Sequence, residues 1–172
     1  MPAVSSTVHG HSTAIVGDKH VETQTSEPGN TAPRPIKEGL FLGSLQRLDD
    51  ISLAGTKCAS CGETSLGRVM LCPNCGSDRV EELRLSDRGI VWTYTVARHR
   101  PPGNYRGPEP FVPFGIALVE LPEGLRVLST LDCEIDSIRV GLPVTFTPFL
   151  RHEKDGDAVV AFTYRPAAEA TR

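Results

Sequence analysis

Two short cysteine turns constrain this chain more than any other feature. They read Cys58-Ala59-Ser60-Cys61-Gly62 and Cys72-Pro73-Asn74-Cys75-Gly76. Each Cys-x-x-Cys places two sulfurs on one tight turn, and the glycine that follows lets the backbone bend away without a Cβ clash. Two such knuckles facing each other offer Cys58, Cys61, Cys72 and Cys75 to a single tetrahedral ion at about 2.3 Å. Four thiolates close the coordination shell and leave no position for substrate or activated water. The expected ion is therefore a structural zinc, with iron the rival that a four-sulfur site also accepts. Such binding contributes on the order of 10 kcal/mol to folding, which is ample for a segment too short to build its own core.

The rest of the composition narrows the setting. At 172 residues the chain holds one ordinary domain or a small domain with a module attached. No apolar run approaches the roughly 20 residues that span a bilayer. The first residues have neither the apolar core nor the early basic cluster of a signal peptide. A cytoplasmic location is the expectation, and there cysteines stay reduced and serve metals rather than disulfides. The formal net charge is -3. Acidic and basic side chains are balanced both in residues 55–85 and in residues 86–166, so neither block is a basic patch of the kind that neutralises phosphate backbones.

Along the chain, residues 1–35 are rich in Ser, Thr, Gly, Pro and His, lack apolar content, and are expected to be a disordered tail. His9, His11 and His20 fall in it and read as solvated side chains. In residues 36–54 a short helical docking segment is expected: Ser44 as cap, Leu45, Leu48 and Ile51 on one face, Gly55 as the stop. Residues 55–80 form the ribbon. Beyond Ser86 the period changes to two. Strands are expected at Ile90–Val96, Ile116–Leu121, Leu125–Leu131, Pro143–Phe149 and Ala158–Tyr164. Pro122-Glu123-Gly124 turns the second into the third, and Lys154-Asp155-Gly156-Asp157 joins the last two. The fold class is mainly β, with a five-stranded OB-fold barrel over residues 86–166 and a short tail at 167–172.

Chemistry beyond the metal is sparse. Cys133 would need a histidine to act as a nucleophile, and neither His99 nor His152 sits in a recognisable motif with it. No phosphate-binding glycine loop, Gly-x-Ser-x-Gly or His-Glu-x-x-His occurs. One long proline-rich loop, Arg98 to Pro113, gathers Arg98, His99, Arg100 and Arg106 with Tyr105 and Phe111. Its guanidinium groups could grip the phosphates of a nucleotide-like cofactor or an acidic partner surface. A solvated loop stiffened by proline accounts for the same residues equally well.

In this order the motifs resemble a family, the acyl-CoA-associated zinc-ribbon/OB-fold proteins, over roughly residues 36–166. The landmarks are Cys58 to Gly62, Cys72 to Gly76, Gly89 through Val96, Ala117 to Gly124, Gly141 to Val144 and Phe162 to Pro166. One departure is Leu66-Gly67-Arg68, where relatives often carry two prolines before the arginine, a change that would loosen the ribbon tip. The resemblance implies a rubredoxin-like ribbon and a non-catalytic accessory subunit in a hetero-oligomer with a thiolase-fold large subunit, either a thiolase, an acyltransferase or an aldolase. Benzoylsuccinyl-CoA thiolysis, steroid side-chain cleavage and acetyl transfer to phenols are settings known for the family. The catalytic residues would lie on the large subunit, and coenzyme A would be shared near the interface. The alternative, a nucleic-acid-binding OB-fold, would need a basic groove interleaved with aromatics, and the charge balance opposes it.

Overall fold

The computed structural model describes residues 32–103, 105, 107–153 and 157–168. The expected strands form where the period-two pattern placed them. β7 (Phe114–Glu120) and β8 (Arg126–Leu131) alternate strictly between buried and more exposed residues, the signature of a sheet with one face on a core. They pair from Gly115↔Leu131 to Glu120↔Arg126. Gly124 closes the hairpin at φ 85°, a left-handed conformation that glycine adopts at no steric cost.

Three more strands complete the barrel: β6 (Arg88–Ala97), β9 (Pro143–His152) and β10 (Ala158–Pro166). β6 pairs with β7 and with β9, β9 with β10, and β10 returns in parallel to β8 at Tyr164↔Leu131. The circuit β6-β7-β8-β10-β9 is thus closed, which removes free edges from a small sheet. A register shift between Val91 and Thr93 bends β6, as bulges in barrel walls do.

The ribbon stands on β3 (Ser52–Cys58), flanked by β4 (Thr64–Leu66) and β5 (Val80–Arg84). Before it lie two short strands, β1 (Arg34–Pro35) and β2 (Phe41–Leu42). β1 corrects the expected extent of the tail: Arg34 and Pro35 pair in parallel with Val159 and Val160 of β10. The remainder of the expected tail, residues 1–31 with His9, His11 and His20, lies outside the described residues. So do Lys154, Asp155 and Gly156 of the last turn and residues 169–172.

The expected helix is also corrected. Between Ser44 and Ile51 the chain makes a single 3-10 turn, Leu48–Asp50, with no side-chain cap. Ile51 and Leu53 are pulled instead into extended chain and buried, as are Phe41 on the pairing strand β2 and Leu40 just before it. Leu45 and Leu48 pack on the core from an irregular segment, so three-residue spacing here reflects a chain crossing an apolar surface. Gly55 is no helix stop. It sits within β3, where a Cβ would come 2.6 Å from Leu85 Cδ2.

Ribbon and barrel share one core. Leu53 and Leu85 from the ribbon base join Val91, Val119, Val127, Val144, Val160 and Tyr164 of the barrel in a single cluster. Phe41 of β2 reaches across to Phe146 and Phe162, with ring centroids 6.4 and 6.1 Å apart. At the joint, the Glu123 carboxylate accepts the Ser86 N–H and hydroxyl, both at 2.8 Å. Among the described residues no helix is long and apolar enough to cross a membrane.

Candidate metal centre and the loop above the barrel

The first knuckle grows out of β3, whose last residue is Cys58; the second lies between β4 and β5. The two turns repeat the same backbone hydrogen bonds. Gly62 N–H donates to Cys58 O and Gly76 N–H to Cys72 O, each at 2.9 Å. Cys58 N–H donates to Glu63 O and Cys72 N–H to Ser77 O, at 2.9 and 2.8 Å. Both glycines hold positive φ, 78° and 71°. Within each knuckle the first cysteine is buried and the second exposed.

All four sulfurs lie within 4.8 Å of one another. Cys58 and Cys75 are 3.6 Å apart, as are Cys61 and Cys72. A disulfide needs about 2.05 Å. A tetrahedron with zinc–sulfur bonds of about 2.3 Å has edges of about 3.8 Å, so the donor set and its spacing fit zinc. The thiols also ask for a cation. Burial pushes the Cys58 thiol up, but the Cys61 and Ser60 N–H groups and the Cys75 and Cys72 thiols outweigh it and bring it down to about 6. The Ser77 N–H favours the Cys75 thiolate, yet the Cys61 sulfur, burial, and the Cys58 and Cys72 sulfurs together push it up to about 12. Four thiolates this close do not ionise together without a positive ion among them. Asn74 Nδ2 donates to Cys61 Sγ at 3.6 Å and Ser60 N–H to Cys58 Sγ at 3.4 Å, so the sulfurs are also oriented by the protein.

The ribbon tip is not loose at Leu66-Gly67-Arg68. Gly67 N–H donates to Ala54 O and Arg68 N–H to Gly39 O. Thr56 Oγ1 donates to Gly67 O at 2.7 Å, and Arg68 pairs with Glu82.

Cys133 is half-buried against the core, and among the described residues no histidine hydrogen-bonds to it. His99 and His152 are exposed. In the long loop, Arg98 is exposed, while Arg100 pairs with Glu109 at 2.9 Å and stands 5.7 Å from the Tyr105 ring centroid. Arg106 lies outside the described residues. The loop's organisation went unread in the sequence: Tyr105, Phe111 and Phe114 pack together with centroids 5.5 to 6.4 Å apart. Tyr105 and Phe114 flank an open groove of about 990 Å³, bounded also by Thr130, Thr147, Arg151 and Arg165. Loop and sheet thus meet where OB-folds commonly take ligands. The spacing of aromatics through a proline-rich loop was the signal available for it.

Comparisons with known proteins agree with both halves. A family model described as the ChsH2 rubredoxin-like zinc ribbon domain matches residues 45–81, and one for the ChsH2 C-terminal OB-fold domain matches residues 82–147. The chain is similar to a DUF35 domain-containing scaffold protein of Methanothermobacter thermautotrophicus, 33% identical over 119 residues that cover 67% of this chain and 86% of that protein. It is 30% identical over 119 residues to the benzoylsuccinyl-CoA thiolase subunit BbsA of Geobacter metallireducens, covering 67% of this chain and 75% of that one. Among solved structures, a chain of an Ltp2-ChsH2(DUF35) aldolase superposes with a TM-score of 0.52 at 29% identity, covering 68% of this chain and 86% of that chain.

Proposed function

This chain belongs to the ChsH2 family of zinc-ribbon and OB-fold proteins, and from that premise we propose that it is a non-catalytic accessory subunit of a thiolase-fold enzyme acting on acyl-CoA thioesters. The observation that carries the reading is the closed four-sulfur centre. Its chemistry is structural, because a metal with four thiolates has no open position for a reacting group. What the ribbon and barrel then offer is surface. Leu128, Trp92 and Ile90 stand exposed on the barrel at 67%, 45% and 44%, and Met70 and Leu71 on the ribbon at 87% and 59%. These apolar side chains are available to a partner surface on both the ribbon and the barrel. The names of the relatives, a thiolase subunit and a chain of an aldolase, point to the same class of partner.

Coenzyme A belongs to the proposal at the loop. Arg98, His99, Arg100 and Arg106 would face the cofactor's phosphates or the partner's entrance, beside the aromatic-walled groove. Charge-assisted donors of this kind act on phosphate. Arg100 already holds Glu109, so its share requires exchanging that carboxylate for phosphate.

The test is reconstitution. Alone, the chain should show no thiolase, aldolase or hydrolase turnover, and it should co-purify with a thiolase-fold large subunit and support that subunit's activity. Robust turnover by the isolated chain, or nucleic acid as its retained partner, would overturn the reading. Within the assembled pair, replacing Arg98, Arg100 and Arg106 together by Ala should weaken coenzyme A binding, most at low salt. An unchanged affinity at both low and high salt removes the loop from the site.

A further inference from the structure

A hydrogen-bonded cycle ties the two knuckles together on the outside of the metal centre. Ser60, inside the first knuckle, and Ser77, just after the second, join hydroxyl to hydroxyl at 2.7 Å. Arg79 closes the cycle from both ends. Its Nε donates to Ser60 Oγ at 3.1 Å, and its backbone N–H donates to Ser77 Oγ, also at 3.1 Å. The Arg79 carbonyl meanwhile accepts the Ala59 N–H at 2.8 Å. This one residue therefore holds the first knuckle by main chain and side chain, and the second knuckle's exit by main chain.

The described arginines fall into two groups: some pair with carboxylates, whereas Arg79, with Arg84, Arg88, Arg98 and Arg139, does not among the described residues. The guanidinium of Arg79 rests on a serine one residue before Cys61. A divalent ion in four thiolates leaves the centre with an excess of two negative charges. An unpaired guanidinium beside it offsets part of that excess.

We propose that Ser60, Ser77 and Arg79 form a clasp that retains the metal, the hydroxyl bridge fixing the separation of the two knuckles and the Arg79 guanidinium supplying charge that offsets the centre's. They are positioning residues, acting through the sulfurs they surround, with the Asn74 amide donating to Cys61 in the same role. Outer-shell partners of metal ligands typically govern affinity by 10- to 100-fold, so the effect is measurable. The proposal rests on the metal centre inferred above.

The experiment uses the full chain loaded with cobalt(II), whose absorption reports tetrahedral thiolate coordination, and follows transfer of the ion to a chelator in excess. Arg79→Gln and Ser77→Ala should each release cobalt about tenfold faster at low salt, with the spectrum before release unchanged. Ser77→Thr, which keeps the hydroxyl, should release at the wild-type rate. Release from the wild type should quicken as salt is raised, because the guanidinium's attraction is screened, and Arg79→Gln should lose this dependence. Wild-type release rates in Arg79→Gln and Ser77→Ala would overturn the clasp while leaving the metal centre standing. Equal acceleration in Ser77→Ala and Ser77→Thr would also overturn it, since the hydroxyl would then not be what matters. A wild-type chain that takes up no cobalt would overturn the metal centre and the clasp with it.

Discussion

The ribbon and the barrel are both built mainly of antiparallel strands, yet they are stabilised in opposite ways. In the barrel, Val91, Val119, Val127, Val144, Val160 and Tyr164 are each essentially inaccessible to solvent, and the stabilisation is distributed over many apolar contacts. Beyond the ribbon base it is concentrated. Between Ala59 and Arg79, Cys72 and Gly67 are the buried residues, and no apolar side chain of a size to make a core is among them. A few ligands do there what a dozen valines and leucines do elsewhere. Distributed support degrades gradually under substitution, whereas concentrated support fails at once.

The largest expected effect follows from that. Cys72→Ser should abolish metal retention and unfold the knuckles, because a contribution on the order of 10 kcal/mol rests on the four sulfurs. Metal analysis and hydrogen exchange across residues 58–79 would show it, and Cys133→Ser should change neither. Acid should act as the Cys72 substitution does. The Cys75 thiol, pushed up to about 12 without a cation, is protonated at neutral pH, so metal uptake must displace protons and weakens as pH falls. Titration of metal affinity against pH checks the sign; an affinity that rose on acidification would contradict the thiolate centre.

Leu85→Ala comes next, at about 2–5 kcal/mol in chemical denaturation. Leu85 is where the comparison can break. It belongs to the shared core and lies against Gly55 of β3, so the same substitution should also hasten metal loss. If the denaturation midpoint falls while metal release stays at the wild-type rate, the two halves are independent units joined only by chain. Glu123→Ala should cost less, about 1–3 kcal/mol, by leaving the Ser86 N–H and hydroxyl without their acceptor. Its effect should appear as faster exchange at the Ser86 amide. Smallest is Arg100→Ala: its partner Glu109 is exposed, and such surface pairs contribute about 0–1 kcal/mol, so thermal unfolding should be nearly unchanged.

The same contrast explains what could be read from the sequence. The four metal ligands were legible because their geometry is local: a Cys-x-x-Cys-Gly turn specifies itself within five residues. The barrel strands were legible because β-branched, aromatic and apolar runs stand between turn residues such as Gly89 and Pro122-Glu123-Gly124. In residues 36–54 the structure departs from the expected helix, since Leu45, Leu48 and Ile51 satisfy the spacing of a helix face and also that of a turn and a single 3-10 turn lying against a core. What decides between them is non-local. Phe41 finds Phe146 and Phe162, and Leu53 finds Leu85 and the barrel valines, neither of which any window around residue 45 contains. The two-residue strand Arg34–Pro35 was hidden for the same reason, because the edge it pairs with lies on β10, more than a hundred residues away. Within the loop, side-chain identity announced arginines, but not that Glu109 would already hold one of them.

Trp92 gives the molecule a built-in optical probe. It is the chain's single tryptophan, half-exposed on the barrel wall with the Arg126 guanidinium 3.9 Å from its ring centroid. Intrinsic fluorescence excited at the indole therefore originates from one known spot. A macromolecule that covers this wall will dehydrate the ring and shift its emission, while one that settles on the ribbon will leave the spectrum alone. The colour of a single residue can thus tell which side of the protein has been occupied, without any label being attached.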